Sequence, residues 1–312
     1  MKVICGIGNF PESNLRDKIV SIGVFDGVHR GHQKILQALA RDARKSGQKS
    51  AVVTFADHPS LILYPPEKVP ALTSLEHKLE FISQQGVDTC YVLYFNKHVA
   101  DMPAEDFVRE ILIRRIGMAA LYVGEDFCLG RKAGGNIAVL KKLSIMLGFR
   151  LRVFMRLKVK GRIVSSTLIR SLVTEGDLKL AEAFLGRRVS FLGRVVHGDG
   201  RGRILGYPTA NILPYHEVLA PFGIYLSLAR MGKREYKSLT YIGSKPTFQD
   251  DRALRSIEVF LFGEHRSLYG RKIEVSLLKK LRQDMKFPSK ESLVKQMERD
   301  VLEAKSLFKK LS

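Results

Sequence analysis

The sequence has no apolar run long enough to cross a membrane. The one near its start, residues 3–7, is too short for a span or for the core of a signal peptide. Cysteine is scarce: Cys5, Cys90 and Cys128 lie far apart with no CxxC spacing, which argues against a disulfide framework or a zinc knuckle and points to a reducing, cytoplasmic setting. No low-complexity tract suggests disorder, and no internal repeat is evident. The pattern GxxxxGK[ST] is absent, so any nucleotide would have to be held by something other than the ordinary NTPase phosphate loop. Acidic residues are the minority, 31 against 52 lysines and arginines, giving a formal charge of +21.

That charge suits an anionic partner: nucleic acid, an anionic surface or phosphorylated small molecules. Its distribution argues for the last. Residues 1–186 carry 27 basic and 18 acidic side chains, or +9, and residues 187–312 carry 25 and 13, or +12. The excess is spread over the chain, and aromatics interleaved with arginines for base stacking are lacking, so dedicated nucleic-acid binding is disfavoured. No membrane partner is expected, and a monomer or weak homo-oligomer is.

A length of 312 residues, 45% hydrophobic and 27% charged, predicts two globular domains. In the first, apolar β-branched runs at 20–25, 51–55, 89–95, 120–124 and 151–155 alternate with amphipathic stretches, which predicts a doubly wound parallel α/β sheet. Helices are expected over 31–46, from Thr73 (capped with Glu76) to Gly86, and from Pro103 to Gly117. Two more are expected over 167–175 and 178–185. The texture changes at Gly186-Arg187-Arg188. Short strands at 189–196, 223–230, 237–242, 257–262 and 272–278 then predict a small antiparallel β-barrel, closed by an amphipathic helix over 290–310. The domains are therefore read as 1–186 and 187–312.

Two segments carry candidate chemistry in the first domain. In GVFDGVHRGH (23–32), between a strand and a helix, Gly27 and Gly31 permit close backbone approach. The helix start offers unpaired N–H groups to a phosphate, and His29 and His32 could stabilise charge on it. Histidines there can equally be surface or capping residues. Ser165, Ser166, Thr167 and Arg170 bring hydroxyls and a guanidinium to another helix start, either as a second phosphate clamp or as a plain N-cap.

In the second domain, the glycine-rich stretch 193–212 can wrap phosphates with its backbone, or be a mere loop. Thr209 and Asn211 offer hard oxygen ligands for one magnesium ion. Glu258, in an apolar strand, is either a general base or the solvent face of an edge strand.

The motifs GVFDGVHRGH (23–32), VVTFADHP (52–59), GEDFCLG (124–130) and SSTLIR (165–170) resemble the nucleotidyltransferase half of bacterial bifunctional riboflavin kinase/FAD synthetases. The kinase half is resembled by GRVVHGDGRGRILGYPTANI (193–212), PFGIYLSL (221–228), IGSKPTF (242–248), SIEVFLFGEHRSLYGRKIEV (256–275) and LRQDMKFPSKESLVKQMERD (281–300). The resemblance implies that riboflavin is phosphorylated to FMN in the barrel and that FMN is adenylylated to FAD, with release of pyrophosphate, in the α/β domain. ATP and Mg²⁺ would serve both steps.

It further implies ATP binding by Gly23, Phe25, Asp26, Gly27, His29, Gly31, His32, Gly124, Asp126, Ser166, Thr167 and Arg170 in the adenylyltransferase. In the kinase it implies ATP binding by Gly198, Gly206, Pro208, Thr209 and Asn211, with Thr209 and Asn211 on the metal and Glu258 as base. Flavin is expected beside His58, Asp126, Phe127, Arg282, Asp284 and Phe287. The sequence departs from the family pattern at Asp57, where proline is usual, at Leu129 for phenylalanine, at Tyr241 for asparagine and at Phe260 for histidine. Retention of only one of the two activities is the rival reading, beside nucleic-acid binding.

Overall fold

The computed structural model describes residues 1–13, 15–59, 69–198, 200–216, 218–244, 255–264 and 268–311. The motif IGSKPTF lies outside them from position 245, and Asp199 of the glycine-rich stretch and positions 265–267 of the later motif also fall outside. The chain packs as two compact units, Met1–Ser166 and Thr167–Ser312. Packing therefore divides it about twenty residues before the change of sequence texture at 186, because the helices between belong with the second unit.

The first unit is built on β1 (Lys2–Cys5), β2 (Lys18–Ile22), β3 (Lys49–Phe55), β4 (Thr89–Leu93), β5 (Met118–Gly124) and β6 (Arg150–Phe154), in the order β1-β4-β3-β2-β5-β6. Every pairing among them is parallel. Alternate strand residues point to opposite faces. Val20, Ile22, Val53, Tyr91 and Leu121 feed one apolar cluster, and Ile19, Val52, Cys90, Val92 and Ala120 feed another. Burial on both faces is what a parallel sheet requires, and it explains the near-continuous apolar runs in the sequence.

Helix α1 (Arg30–Lys45) follows β2 and buries Leu36, Leu39, Ala40 and Ala43 in the second cluster's layer. Helix α2 (Leu75–Ser83) is capped by Ser74, whose side chain accepts the N–H of His77. The expected cap, Thr73, is instead engaged by Asp26 and Gly27. From Pro103 the chain makes one α-turn, Ala104–Asp106, and continues as π-helical turns over Phe107–Arg115.

The order of strands gives the sheet a switch point. From β2 the chain passes to β3 on one side, and only much later returns to β5 on the other. Such a crevice, at the carboxyl end of a central strand, is where open α/β sheets bind ligands.

In the second unit, helices α3 (Ser166–Glu175, from its second residue) and α4 (Leu178–Leu185) precede six antiparallel strands that close into a barrel. These are β7 (Ser190–Val196), β8 (Thr209–Pro214), β9 (Gly223–Met231), β10 (Arg234–Ser244), β11 (Arg255–Leu261) and β12 (Lys272–Arg282), in the cyclic order β8-β11-β10-β9-β12-β7. The strand β8 had been read as part of a loop. Its alternation is too short and too rich in polar residues to register as one.

Tyr225, Ile242, Ile257, Val259, Ile273 and Val275 are buried within the barrel, with Ser227 hydrogen-bonded to Ser238 and Thr240, each at 2.8 Å. The outward residues Leu226, Leu239 and Phe260 pack against Ala304, Val301 and Phe308 of α5 (Lys290–Leu311).

The Arg282 guanidinium holds α5 to the barrel by donating to both Asp300 carboxylate oxygens at 2.8–3.1 Å. The two side chains are 18% and 7% exposed, so loss of one leaves the other charge poorly solvated. Asp300→Ala should therefore lower the stability of this unit by about 2–4 kcal/mol. Urea unfolding followed by a probe on α5 measures it, and a change under about 0.5 kcal/mol would show that the pair contributes as little as an exposed one.

Candidate functional site

The switch-point crevice is occupied by the loop that leaves β2. To turn within so few residues the backbone enters the left-handed region at Phe25 (φ 51°), Gly27 (φ 76°) and Val28 (φ 37°). Glycine adopts this freely, but a β-branched valine does not, so the surroundings must impose the conformation. The buried Asp26 carboxylate does much of this. It accepts the N–H of Leu72 (3.0 and 3.1 Å) and of Thr73 (3.2 Å), while Gly27 N–H donates to Thr73 Oγ1 at 3.2 Å. Asp26 is thus a loop organiser whose oxygens are engaged by peptide groups.

The histidines stand at the start of α1. His29 is its N-cap, with Nδ1 accepting the N–H of His32 at 3.3 Å. The two imidazoles stack with centroids 3.6 Å apart and planes within 15°, and Phe25 meets His32 edge-on at 5.2 Å. The capping and phosphate readings of these residues are compatible. With Nδ1 as acceptor, the neutral His29 ring carries its proton on Nε2, the atom that can donate to an anion.

A side chain at Gly31 would come within 3.2 Å of the His29 ring, and one at Gly23 within 3.3 Å of Phe25, so both glycines are required for packing. Ser166 Oγ donates to the carbonyl of Asp26 at 2.9 Å and joins the same loop. Thr167 and Arg170 belong by packing to the second unit, where Arg170 donates to Thr167 Oγ1 at 3.4 Å.

Gly124 ends β5, the neighbour of β2, and a β-carbon there would meet Asp126 Oδ1 at 3.0 Å. Asp126 is exposed and 3.6 Å from Arg156. Phe127 is partly buried against the first apolar cluster, and Leu129, buried in that cluster, does the apolar work that phenylalanine would do. His58 follows β3, half-buried, next to the exposed Asp57.

Lys78, which sequence reasoning missed, donates from α2 to the carbonyls of Phe55 (2.7 Å) and Val24 (3.2 Å). Burial brings its pKa down to about 8, against the opposing influence of Asp26, Cys90 and Asp57. Asp57 therefore meets an ammonium group nearby. The sign of Lys78 was present in the sequence: a lysine at 78 falls on the apolar stripe with Phe81 and Ile82.

In the barrel, register alone assembles the second constellation. Asn211 of β8 and Tyr241 of β10 are the direct partners of Glu258 on β11, on its two sides. All three point outward, on the face that α5 covers at Leu239 and Phe260. Because the barrel is closed, β11 has no free edge, and the edge-strand reading of Glu258 does not apply. Thr209 Oγ1 donates to Glu258 Oε2 at 2.9 Å, which leaves the hydroxyl's lone pairs available to a cation.

The Asn211 amide lies over Gly198, where a β-carbon would be 2.0 Å from Nδ2, so the glycine-rich stretch crosses this very point. Gly206 turns with φ 84° just before Pro208. Among the described residues no group of three or more His, Cys, Asp or Glu could hold a metal, so an ion at Thr209 and Asn211 would have to keep waters or substrate oxygens.

Tyr241, the departure from the family's asparagine, donates its hydroxyl to Asp284 at 3.3 Å and lies across Gly243. Burial, reinforced by Asp284 and Glu258, pushes its pKa up to about 12. Phe260, in place of histidine, is absorbed into the apolar layer through edge-on contacts with Tyr207 and Phe262. Arg282 is committed to Asp300, with its guanidinium 5.8 Å above the Phe287 ring.

Two family models match the chain: one described as FAD synthetase over residues 11–168, the other as riboflavin kinase over residues 185–308. The bifunctional riboflavin kinase/FMN adenylyltransferase of Escherichia coli (strain K12) is 35% identical over 310 residues, covering 99% of this chain and 98% of that protein. A protein of the same name from Buchnera aphidicola subsp. Schizaphis graminum is also 35% identical, covering 99% of each. A crystal structure from Streptococcus pneumoniae, titled a macrolide-efflux protein, superposes with a TM-score of 0.85 at 26% identity, covering 98% of this chain and 99% of that one. Among the described residues no helix is long and apolar enough to cross a membrane. With both models falling in order along one polypeptide and namesakes matched from end to end, the chain belongs to the bifunctional riboflavin kinase/FMN adenylyltransferase family.

Proposed function

We propose that this chain makes FAD from riboflavin in two ATP-dependent steps, with FMN as product of the first and substrate of the second. The observation that carries the reading is the end-to-end match to both halves of one family. We assign phosphorylation to residues 187–312 and adenylylation to residues 1–186. ATP, riboflavin and FMN are the small-molecule substrates. The rival with a single working half gains nothing from Asp57, Tyr241 or Phe260, since Lys78, Asp284 and the α5 layer respectively accommodate them. The spread of the +21 charge suits substrates that are all phosphorylated or become so. The scattered cysteines and lack of a spanning helix among the described residues fit a cytoplasmic enzyme.

In the kinase step Glu258 takes the proton of the riboflavin 5′-hydroxyl as its oxygen bonds to the γ-phosphorus and the bond to the leaving ADP oxygen breaks. Thr209 and Asn211 flank that carboxylate and would hold Mg²⁺, which supplies charge neutralisation on the phosphate oxygens when bound. Thr209 satisfies two demands at once, because its proton goes to Glu258 and its lone pairs stay available. Gly198, Gly206 and Pro208 shape the stretch over the nucleotide phosphates, and Arg282, Asp284 and Phe287 border the flavin.

In the adenylyl step an FMN phosphate oxygen bonds to the α-phosphorus of ATP and pyrophosphate departs, with no covalent protein intermediate. His29 and His32 stabilise the charge that develops there, and the α1 start supplies peptide N–H groups. Gly23, Phe25, Gly27 and Gly31 let the backbone come close, with Asp26 and Ser166 fixing its path. Gly124, Asp126, Phe127 and His58 line the flavin side. For Thr167 and Arg170 the phosphate role rests on the family resemblance alone.

Glu258→Gln should slow FMN formation by about 10²–10⁴-fold while FAD formation from supplied FMN stays within about twofold. His29→Ala should do the opposite, slowing adenylylation by about 10²–10³-fold. Chromatographic separation of the flavins from each variant decides, and an equal loss of both activities in either variant would contradict the division of labour. Asn211→Leu should raise the magnesium needed for half-maximal FMN formation at least about tenfold. An unchanged magnesium titration would remove Asn211 from the metal.

A further inference from the structure

The loop after β2 and the segment after β3 carry the residues assigned above to nucleotide and flavin, yet neither segment is held by its own side chains alone. Val24 lies one residue before the first left-handed turn, and its carbonyl accepts from Thr54 Oγ1 (3.1 Å) as well as from Lys78 Nζ (3.2 Å). Phe55 ends β3, immediately before Ala56-Asp57-His58, and its carbonyl accepts from Lys78 at 2.7 Å.

In return, the Asp26 carboxylate of the loop takes the N–H groups of Leu72 and Thr73, just ahead of Ser74, the cap of the helix that bears Lys78. Loop and helix are therefore tied in both directions, by a carboxylate from one side and an ammonium from the other. A carbonyl turned toward an anion repels it, whereas one turned onto an ammonium leaves the peptide N–H side for the anion.

We propose, resting on the adenylyltransferase reading, that Lys78 is a positioning residue for adenylyl transfer, pinning the Val24 and Phe55 carbonyls inward so that both segments present donors to their ligands. The charge is part of the role. A neutral amine can still donate, but it holds two carbonyls against the strain at Phe25 and Val28 less firmly.

Titration makes this visible. The ammonium faces Asp26 from the loop, Asp57 from the segment after β3 and Cys90 from β4. The Cys90 thiol, pushed up to about 12 by burial, stays neutral over the working range. Lys78 is held down to about 8, so it is charged below that pH and loses its proton above it. Adenylylation should then fall as pH rises through about 8, in a limb absent from the kinase step.

The test uses the full chain, FMN and Mg-ATP, at pH 6.5–9.5, with riboflavin phosphorylation and a melting curve recorded on each preparation. Lys78→Met should adenylylate about a hundredfold more slowly at pH 7.5, with residual activity flat in pH, while riboflavin phosphorylation is kept. Lys78→Arg, charged throughout, should also lack the limb.

Adenylylation within about threefold of wild type in Lys78→Met would overturn the proposal, as would a limb that persists in Lys78→Arg. A Met variant that fails to fold leaves the wild-type and Arg profiles to decide, and a flat wild-type profile is then the contrary result. Wild-type protein that makes no FAD from FMN would instead overturn the functional reading itself.

Discussion

A buried carboxylate governs the first unit. Asp26 sits where the chain must leave β2, reverse through left-handed conformations and enter α1, and it spends its oxygens on the peptide N–H groups of Leu72 and Thr73. A buried carboxylate with no such partners would be costly. With them it fixes the loop, and the loop fixes everything downstream: the capping of α1 by His29, the stacking of His32 on it, and the start of α1 as an anion site. The strain at Phe25 and Val28 is sustained by this cross-tie and by Lys78.

The second unit reaches a comparable result by a different device. No strained loop positions its reactive group. Closed antiparallel register sets Asn211 and Tyr241 on either side of Glu258, and α5 seals the neighbouring part of the same outward face with apolar residues. Glu258 is kept half-buried at the margin of that layer, beside a hydroxyl that both donates to it and can face a cation. Where the first site depends on one loop and its ties, the second depends on the pairing of three strands.

Much of this was legible in the sequence, for physical reasons. Parallel strands buried on both faces leave apolar runs, so five strands of the first sheet were found within a few residues of their true ends. β1 was missed because four residues with a half-exposed pattern resemble any short apolar run. The barrel strands alternate and are bounded by turns, so they too could be read, except β8, whose outward positions are given to Thr209 and Asn211.

The site was legible where chemistry is local to a motif, as at 23–32. It was not where partners are brought together from afar. Lys78 meets carbonyls 23 and 54 positions away, and Asp300 meets Arg282 through a helix docked on a barrel. The roles expected of Asp26 and Arg282 as ligand contacts sit beside a structural duty that only packing reveals.

Both sites are nucleotide cradles in this account, one in each unit, and that independence is its central claim. Equilibrium titration of the full chain with a non-hydrolysable ATP analogue and Mg²⁺ tests it most directly. Two nucleotides bound per chain, one of them lost in His32→Ala and the other in Thr209→Val, is the predicted result. A stoichiometry of one, or the loss of all binding in either variant, would contradict it.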